Sequence, residues 1–309
     1  IETESLPMPD LNGKAPEKGY LEKTMSLREE AVLSYCEKLG VTPNILFTGL
    51  FGILMAKYSN AEESLFSTIY NGRNDSRLEN TVCMLVKTLP VYCKFDPKTT
   101  VQAYMTELSG QILSSMANDI FPFSDICAKY GLNSDLTFAY QAELSDDYPI
   151  GDTIARGHDL SLDMAKMPLL IQVREYNHTY VLTAEYRSDM YSQAFIDGIL
   201  DSYEATMSSA LKTKLVSEIS VISQRGVDKI AEFNHTESEY DRNKTISDMF
   251  DELVETIPDH TAVVYKDRKY TYKELDEISD RLGKYIASQG IGREDVVSIL
   301  IPRCEYMAI

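Results

Sequence analysis

The sequence predicts an α/β protein made of two successive domains. Segments with helical periodicity alternate with short β-prone segments along most of the chain, and this alternation is typical of α/β folds. The length of 309 residues corresponds to about two domains of ordinary size. A hydrophobic share of 44% and a charged share of 25% are those of a globular protein with a packed core.

The first 213 residues contain helix and strand patterns in succession. A helix over Glu29–Leu39 is predicted to end at Gly40, and a second helix begins at Thr42-Pro43-Asn44, because proline fits the first turn of a helix. One face of the second helix is predicted to be apolar, with Ile45, Leu46, Leu50, Ile53, Leu54 and Tyr58. Two further helices are predicted at Val101–Met116 and Ser192–Thr213. Strands are predicted at Leu21–Leu27, Ser64–Tyr70, Val82–Tyr92, Leu136–Gln141, Asp159–Met164, Pro168–Glu175 and His178–Tyr186, the last two as a hairpin.

The pattern changes after residue 213. Residues 214–242 are polar and mixed, with one short helix near Val227–Phe233. From Thr245 onward a helix, two strands, a second helix and a third strand alternate again, as at the opening of an α/β domain. These elements are predicted at Ile246–Thr256, Ala262–Tyr265, Lys269–Tyr272, Lys273–Gln289 and Val296–Ile301.

Charge and reactive residue types exclude several classes of function. A net charge of -18 and a pI of about 4.7 disfavour nucleic acid and anionic membranes as partners. No apolar run reaches the roughly 18 residues of a membrane-spanning helix. The five cysteines form no CxxC pair, and the four histidines lack metal-ligand spacing. We therefore expect free thiols in a reducing cytoplasm and no metal site.

Four stretches of the first half match the motifs of one enzyme family. Residues 44–75 read NILFTGLFGILMAKYSNAEESLFSTIYNGRND and residues 82–90 read VCMLVKTLP, where the family has a helix, a strand, a Gly-Arg-Asn turn and (I/V)GxFVNTLP. Residues 118–123 read NDIFPF and residues 135–141 read DLTFAYQ, close to (H/N)QDYPFE and DVxFxYQ. Cys83 and Lys87 depart from the family's Gly and Asn. In this order the stretches resemble the condensation domain of nonribosomal peptide synthetases.

The second half is similar to the linker and the beginning of an adenylation domain of the same synthetases. Residues 232–240 read EFNHTESEY, like the linker signature ExNxTxxxY. Residues 245–275 read TISDMFDELVETIPDHTAVVYKDRKYTYKEL, like the family's opening helix, TPDxxAV turn and first core motif (L/Y)(T/S)YxEL. That core motif consists here of Tyr270, Thr271, Tyr272, Glu274 and Leu275. Tyr272 and Leu275 are expected to pack the helix on its sheet rather than to touch substrate.

The resemblance implies three regions. Residues 1–215 are expected to form the C-terminal lobe of a condensation domain, a chloramphenicol-acetyltransferase-like mixed sheet with flanking helices. Residues 216–242 are expected to be an inter-domain linker, and residues 243–309 the N-terminal start of an adenylation domain. The first residue is Ile1 rather than Met, and a helix begins just before Ile309, so we expect a piece of a longer protein.

The family's chemistry implies residues that this sequence lacks. Its condensation domains join carrier-bound thioesters by means of an HHxxxDG motif, because the attacking amine must lose a proton and the oxyanion must be stabilised. No adjacent His pair occurs here, so we expect the motif upstream of Ile1 and no catalysis by this chain alone. Adenylation needs phosphate-binding loops, an acidic residue for the ribose and a mobile Lys, all expected beyond residue 309.

The implied cofactors and partners belong to the parent protein. The parent is expected to use ATP, Mg and carrier-borne phosphopantetheine, none of them bound by this fragment. The expected partners are the N-terminal condensation lobe, peptidyl carrier proteins and the rest of the adenylation domain.

The resemblance also places a substrate tunnel beside residues 82–90 and 118–123. The candidate tunnel residues are Val86, Lys87, Thr88, Asn118 and Asp119. Alternation along a strand places Val86 and Thr88 on one face and Lys87 and Leu89 on the other. Lys87 is interpreted mainly as part of a solvated face, with contact to the phosphopantetheine phosphate as the alternative. Asn118 and Asp119 are expected to cap a helix or form a turn, or else to shape the tunnel mouth.

Three other motif residues are expected to be structural rather than catalytic: Arg73, Pro122 and Phe123. The stretch Phe121-Pro122-Phe123 is interpreted as packing.

Other functional hypotheses remain open at this point. A diverged, complete acyltransferase would need another base, for which His158 is the candidate. A docking platform for carrier proteins would bind them without turnover. Within the family, a following adenylation start argues against an epimerization domain, whereas a heterocyclization domain stays possible because its acidic motif would also lie upstream.

Overall fold

The structure is a computed structural model that describes residues 5–14, 17–73, 75–78, 80–94, 96–133, 135–142, 147–156 and 164–309. Contacts between Cα atoms divide the chain into two compact units, residues 1–235 (unit 1) and residues 236–309 (unit 2). Strands and helices alternate in both units, which confirms the predicted α/β class.

Unit 1 is built on a mixed β-sheet. Its strands are β1 Lys18–Arg28, β2 Glu63–Tyr70, β3 Lys87–Lys94, β4 Leu136–Gln141, β5 Asp147–Ile150, β6 Thr153–Arg156, β7 Leu169–Tyr176 and β8 Thr179–Arg187. Six of them form one sheet in the order β1-β8-β7-β4-β2-β3, while β5 and β6 pair separately. β2, β4 and β7 are parallel to one another, and the other pairs of this sheet are antiparallel. We call the end at which β2, β4 and β7 finish the carboxyl end of the sheet.

The helices of unit 1 begin and end at the signals that the sequence carries. They are α1 Glu29–Leu39, α2 Pro43–Tyr58, α3 Val101–Ala117, α4 Phe123–Tyr130, α5 Gln193–Ala210 and α6 Gln224–Phe233. The hydroxyls of Thr42, Thr100 and Ser192 each accept a backbone N–H in the first turn of α2, α3 and α5, which satisfies a donor that the helix itself leaves unpaired. Gly40, in the left-handed conformation, ends α1 as predicted.

Helix α2 forms the centre of the core. The prediction of a single apolar face was wrong, because every residue from Ile45 to Ala56 is buried. The helix lies between the sheet and the helices α1, α3 and α5, so all of its sides are covered. The ring of Phe51 is 4.7 Å from Phe138 and 5.0 Å from Phe66, centroid to centroid. These aromatic contacts fix α2 against β2 and β4.

Three predicted strands differ from the structure. The predicted hairpin is present, and its two-residue turn is Asn177-His178, both with positive φ, as in a type I′ turn. The predicted strand Val82–Tyr92 begins only at Lys87, because Lys87 pairs with Tyr70, the last residue of β2, and no strand continues beyond it. Residues 82–86 therefore form an exposed loop. The predicted strand Asp159–Met164 lies outside the described residues, apart from Met164, which forms a bridge with Glu17.

Unit 2 contains α7 Ile246–Thr256, β9 Thr261–Tyr265, β10 Arg268–Thr271 and α8 Tyr272–Ser288. The bounds of α7 are those predicted, because Thr245 and Asp248 form a capping box that fixes its start. β9 and β10 pair as a hairpin. The predicted strand Val296–Ile301 is absent from the described residues, since no strand of unit 2 pairs with it.

Two sequence-based expectations concern membrane spans and metal sites. Among the described residues no single helix is long and apolar enough to cross a membrane. Only α1 and α2 taken together have that length and composition, and they are bent by 89° with respect to each other. In the same residues no cluster of three or more His, Cys, Asp or Glu side chains is arranged to hold a metal ion.

A candidate substrate groove at the carboxyl end of the sheet

A groove of about 310 Å³ lies between the start of β3 and the segment that follows α3. It is lined by Val86, Lys87, Thr88, Leu89, Asp119, Ile120, Phe121, Pro122 and Phe123. Because Lys87 pairs with the last residue of β2, the groove lies at the carboxyl end of the sheet. In open α/β sheets ligands commonly bind at this end.

Lys87 forms an ion pair inside this groove. Its Nζ lies 2.9 Å from Oδ1 of Asp119 and donates to the main-chain oxygen of the same residue at 3.0 Å. The side chain of Lys87 is 39% exposed and that of Asp119 is 13% exposed. The sequence suggested a solvated face for Lys87. In the structure the side chain is only partly exposed, and it connects β3 to the loop after α3. Much of its charge is balanced by Asp119.

Asn118 and Asp119 are neighbours in sequence but have different positions. Asn118 is the C-cap of α3, and its Nδ2 donates to the main-chain oxygen of Ser114 at 2.8 Å. Its side chain is not among those that line the groove. Asp119 does line it. The structure thus brings Val86, Lys87, Thr88 and Asp119 together and leaves Asn118 in a helix-capping position.

The opposite wall of the groove is apolar and open to solvent. Ile120 is 84% exposed and Phe121 is 71% exposed. The motif suggested that Phe121 packs against other residues, but the structure leaves most of its side chain in solvent. Pro122 is the N-cap residue of α4 and Phe123 its first residue. Sequence reasoning missed Ile120 as a wall residue, because a single apolar residue in a loop carries no periodic signal.

Arg73 holds the loop between β2 and β3 in place. Its Nη1 donates to the main-chain oxygen of Thr81 at 3.0 Å and to that of Leu78, and its Nη2 donates to that of Cys83 at 3.2 Å. The preceding Gly72 has a φ of 67°, and a Cβ at this position would lie 2.1 Å from the main-chain oxygen of Leu85. Arg73 is therefore structural in its contacts. The loop that it holds presents Val82, Met84 and Val86, which are 102%, 85% and 51% exposed.

Both faces of the sheet carry further polar side chains near its carboxyl end. Tyr140 donates to the Glu175 carboxylate on the helix-covered side, and burial, together with that hydrogen bond, raises the pKa of Tyr140 well above its ordinary range. Gln141, Gln172 and Arg174 lie on the opposite side, where the Nε2 of Gln172 donates to Gln141. Nothing in the sequence marked these three residues, because each is a single polar residue in a β-strand.

Two buried thiols of unit 1, Cys36 and Cys93, have raised pKa values. Burial raises the pKa of Cys36 to about 11. Burial also raises the pKa of Cys93 to about 11, although hydrogen bonds with Tyr104 and Ser64 act in the opposite direction. Both thiols are protonated at neutral pH, and the thiolate is the reactive form.

The core motif of unit 2 is structural in its contacts. Thr271 and Glu274 form a capping box at the start of α8. The ring of Tyr272 lies 6.0 Å from that of Phe250, and Leu275 is buried. Tyr270 belongs to β10, where it pairs with Val263.

Comparison with known protein families decides the assignment of the chain. A model described as the condensation domain matches residues 4–231. The chain belongs to the condensation domain family. A second model, described as AMP-binding enzyme, matches residues 250–309, so the condensation region continues into the beginning of an AMP-binding region.

The relatives of this condensation chain are large peptide synthetases. Gramicidin S synthase 2 of Brevibacillus brevis is 24% identical over 281 residues, which are 87% of this chain and 6% of that protein. Surfactin synthase subunit 1 of Bacillus subtilis (strain 168) is 24% identical over 284 residues, or 88% and 8% of the two chains. The chain therefore spans less than a tenth of the length of these relatives.

Solved structures confirm the fold expected for the family. Holo-AB3403, a four-domain nonribosomal peptide synthetase bound to AMP and glycine, matches 95% of this chain with a TM-score of 0.70 at 15% identity, over 24% of its own length. The first condensation domain of the calcium-dependent antibiotic synthetase, in complex with a substrate analogue, matches 69% of this chain and 49% of its own, with a TM-score of 0.57 at 13% identity.

Proposed function

We propose that this chain is part of a nonribosomal peptide synthetase that forms peptide bonds between carrier-bound thioesters and activates an amino acid with ATP. The observation that carries the proposal is the succession of the two family matches, condensation over residues 4–231 and AMP-binding over residues 250–309. The peptide synthetases to which the chain is similar support the same assignment.

The proposed division of the chain follows its motifs. Residues 1–215 form the C-terminal lobe of the condensation domain, residues 216–242 the linker, and residues 243–309 the start of the adenylation domain. Two features bear on the first boundary: Val216 and Ile219 are both buried in the core of unit 1. The first turn of the proposed linker is therefore anchored to the condensation lobe.

The groove is proposed to form part of the wall of the substrate tunnel. Val86, Ile120 and Phe121 give it an apolar wall, which suits the hydrocarbon and amide groups of a pantetheine arm. The ion pair of Lys87 with Asp119 lies among the residues that line it. In this proposal these residues position the carrier-borne thioester and do not take part in proton transfer.

Catalysis is proposed to depend on residues outside this chain. The sequence contains no adjacent His pair, and a carrier-bound amine needs a base to lose its proton. The parent would supply an HHxxxDG lobe, carrier proteins with phosphopantetheine, and the remaining adenylation residues that hold ATP and Mg.

The proposal is tested by complementation. The chain is mixed with two loaded carrier proteins, with and without a separately expressed HHxxxDG lobe of the same synthetase, and dipeptide formation is measured by mass spectrometry of the carrier. We expect product only with the added lobe. Turnover by the chain alone that is lost in a His158→Ala variant would instead support the diverged acyltransferase. Saturable carrier binding without turnover in either mixture would support the docking platform.

A further inference from the structure

Arg174 on β7 is a partly buried cation that has no acidic partner among the described residues. Its Nε is buried and has no hydrogen-bond partner in the part of the chain that the structure describes. Among the described residues no carboxylate pairs with this guanidinium, whose Cζ lies 5.8 Å from the ring centre of Tyr176. Other cations on the same sheet are paired, such as Arg187 with Asp189 at 2.6 Å and Lys18 with Glu185 at 3.2 Å. In a chain with 48 acidic and 30 basic residues, an unpaired arginine in a strand requires a specific explanation.

A buried N–H without an acceptor is costly. Removing such a group from water without replacing its hydrogen bond costs about 1–3 kcal/mol, and most buried donors in native proteins are satisfied. The guanidinium cannot lose its proton to avoid this cost. An acceptor from outside the described residues, such as a bound ligand, would remove it.

The surroundings of Arg174 favour an oxyanion as that acceptor. Arg174 is in register with Gln141 of β4 and Val181 of β8. Leu169, Ile171 and Val173 are buried against the helices, so alternation places Gln172 and Arg174 on the opposite side of the sheet. The side-chain oxygen of Gln141 accepts from Gln172, which leaves the amide nitrogen of Gln141 as a second donor beside Arg174.

We propose that Arg174 binds an oxyanion, a carboxylate or a phosphate, on the side of the sheet away from the helices, at its carboxyl end. A guanidinium presents parallel N–H donors that match either group bidentately, and the unpaired Nε provides one of them. The site lies at the end where β2, β4 and β7 finish, the same end as the groove but on the other side of the sheet from Lys87. That the oxyanion arrives on a pantetheine chain rests on the proposed function; that Arg174 binds it does not.

The test follows the Nε–H resonance of Arg174 in the 309-residue chain labelled with ¹⁵N-arginine. The resonance is assigned by its absence from an Arg174→Lys variant. The probes are inorganic phosphate, pantetheine 4′-phosphate against pantetheine, and succinyl-pantetheine against butyryl-pantetheine. The two pairs separate a phosphate source from a carboxylate source, because each pair differs in a single anionic group.

The expected result is a saturable shift with the anionic member of one pair and none with its neutral partner. Affinities of the unmodified chain and of the variants are compared by isothermal titration calorimetry, and Arg174→Gln is expected to weaken binding by tenfold or more, since a hydrogen bond to a charged group contributes roughly 1.5–3 kcal/mol. Arg187→Gln is the matched control, because Asp189 already occupies that guanidinium, and it is expected to bind as the unmodified chain does.

Three outcomes have distinct meanings. Binding of pantetheine 4′-phosphate or succinyl-pantetheine that depends on Arg174 supports the site and its link to the proposed function. Binding of inorganic phosphate alone, with no response to either pantetheine pair, supports the oxyanion site but counts against its link to the proposed function. No shift at Arg174 with any probe, or equal affinity in Arg174→Gln and the unmodified chain, overturns the proposal. Arg174→Lys provides the same comparison if Arg174→Gln fails to fold.

Discussion

The turn after β2 is expected to tolerate no side chain at position 72. Gly72 has a φ of 67°, and a Cβ there would lie 2.1 Å from the main-chain oxygen of Leu85. Gly40 provides the matched comparison, because it has a φ of 71° and no atom lies within 4 Å of the place that a Cβ would take. A left-handed residue with a Cβ costs about 1–2 kcal/mol. We therefore expect Gly40→Ala to lower the free energy of unfolding by about 1 kcal/mol, and Gly72→Ala by about 3 kcal/mol, because it must also displace the Leu85 carbonyl.

The assay combines urea unfolding, followed by circular dichroism, with hydrogen exchange of peptides from residues 43–58, which report unit 1. Limited proteolysis of residues 71–86 shows whether the loop has moved to relieve the clash. A relieved clash would appear as faster cleavage of that loop in Gly72→Ala and not in Gly40→Ala. Equal losses of stability in the two variants, with unchanged cleavage of the loop, would refute the reasoning.

Three further predictions concern titration, ion pairing and capping. Burial raises the pKa of Tyr104 and of Tyr203 well above their ordinary value. A group with a raised pKa in the folded state stabilises the fold fully below its unfolded pKa of about 10, and this stabilisation is lost as the pH rises above that value. The urea midpoint of unfolding should therefore fall above pH 10, and it should fall less steeply in Tyr203→Phe. A double-mutant cycle of Lys87→Met with Asp119→Asn should give a coupling of about 0.5 kcal/mol, because Lys87 is partly exposed. Thr245→Ala should destabilise α7 by about 1 kcal/mol through loss of its capping box, measured by hydrogen exchange of residues 246–256.

Each of these predictions has its own control. Tyr203→Phe removes a donor to the main-chain oxygen of Phe47 at 2.7 Å, so its stability is compared with its own value at pH 8. A midpoint that does not change between pH 8 and pH 11 would contradict the titration argument. The ion-pair cycle is repeated at high salt, where a coupling that does not decrease would be inconsistent with an electrostatic origin. For the cap, Ser247→Ala is the neighbouring change, and an equal loss of protection in both variants would count against a specific capping effect.

The sequence predicts best the features that depend on neighbouring residues. The bounds of α1 and α7 were predicted because Gly40 and the Thr245 capping box act within one helical turn. The start of β3 was not, because a strand needs a partner, and β2 ends where Lys87 begins to pair. Residues 82–86 have the composition of a strand, but no described strand pairs with them.

The chemistry of the candidate site depends still more on distant residues. The motifs identified Val86, Lys87, Thr88 and Asp119 as candidates, and the structure places all four in one groove. The ion pair of Lys87 joins residues that are 32 positions apart, so no local pattern could have predicted it. Arg174 carried no signal at all. An unsatisfied donor can be recognised only from the three-dimensional positions of the acceptors around it.

Lys87 and Arg174 show why a cation at the right end of a sheet is not by itself an anion site. Lys87 already has two oxygens of Asp119 within 3.0 Å of its ammonium, so an incoming anion would have to compete with a fixed carboxylate and would be repelled by it. Arg174 has no such carboxylate among the described residues, and its buried Nε has no hydrogen-bond acceptor among them either. The two residues therefore divide the carboxyl end of the sheet. The groove on the Lys87 side suits a neutral, partly apolar chain, and the side at Arg174 suits the charged group.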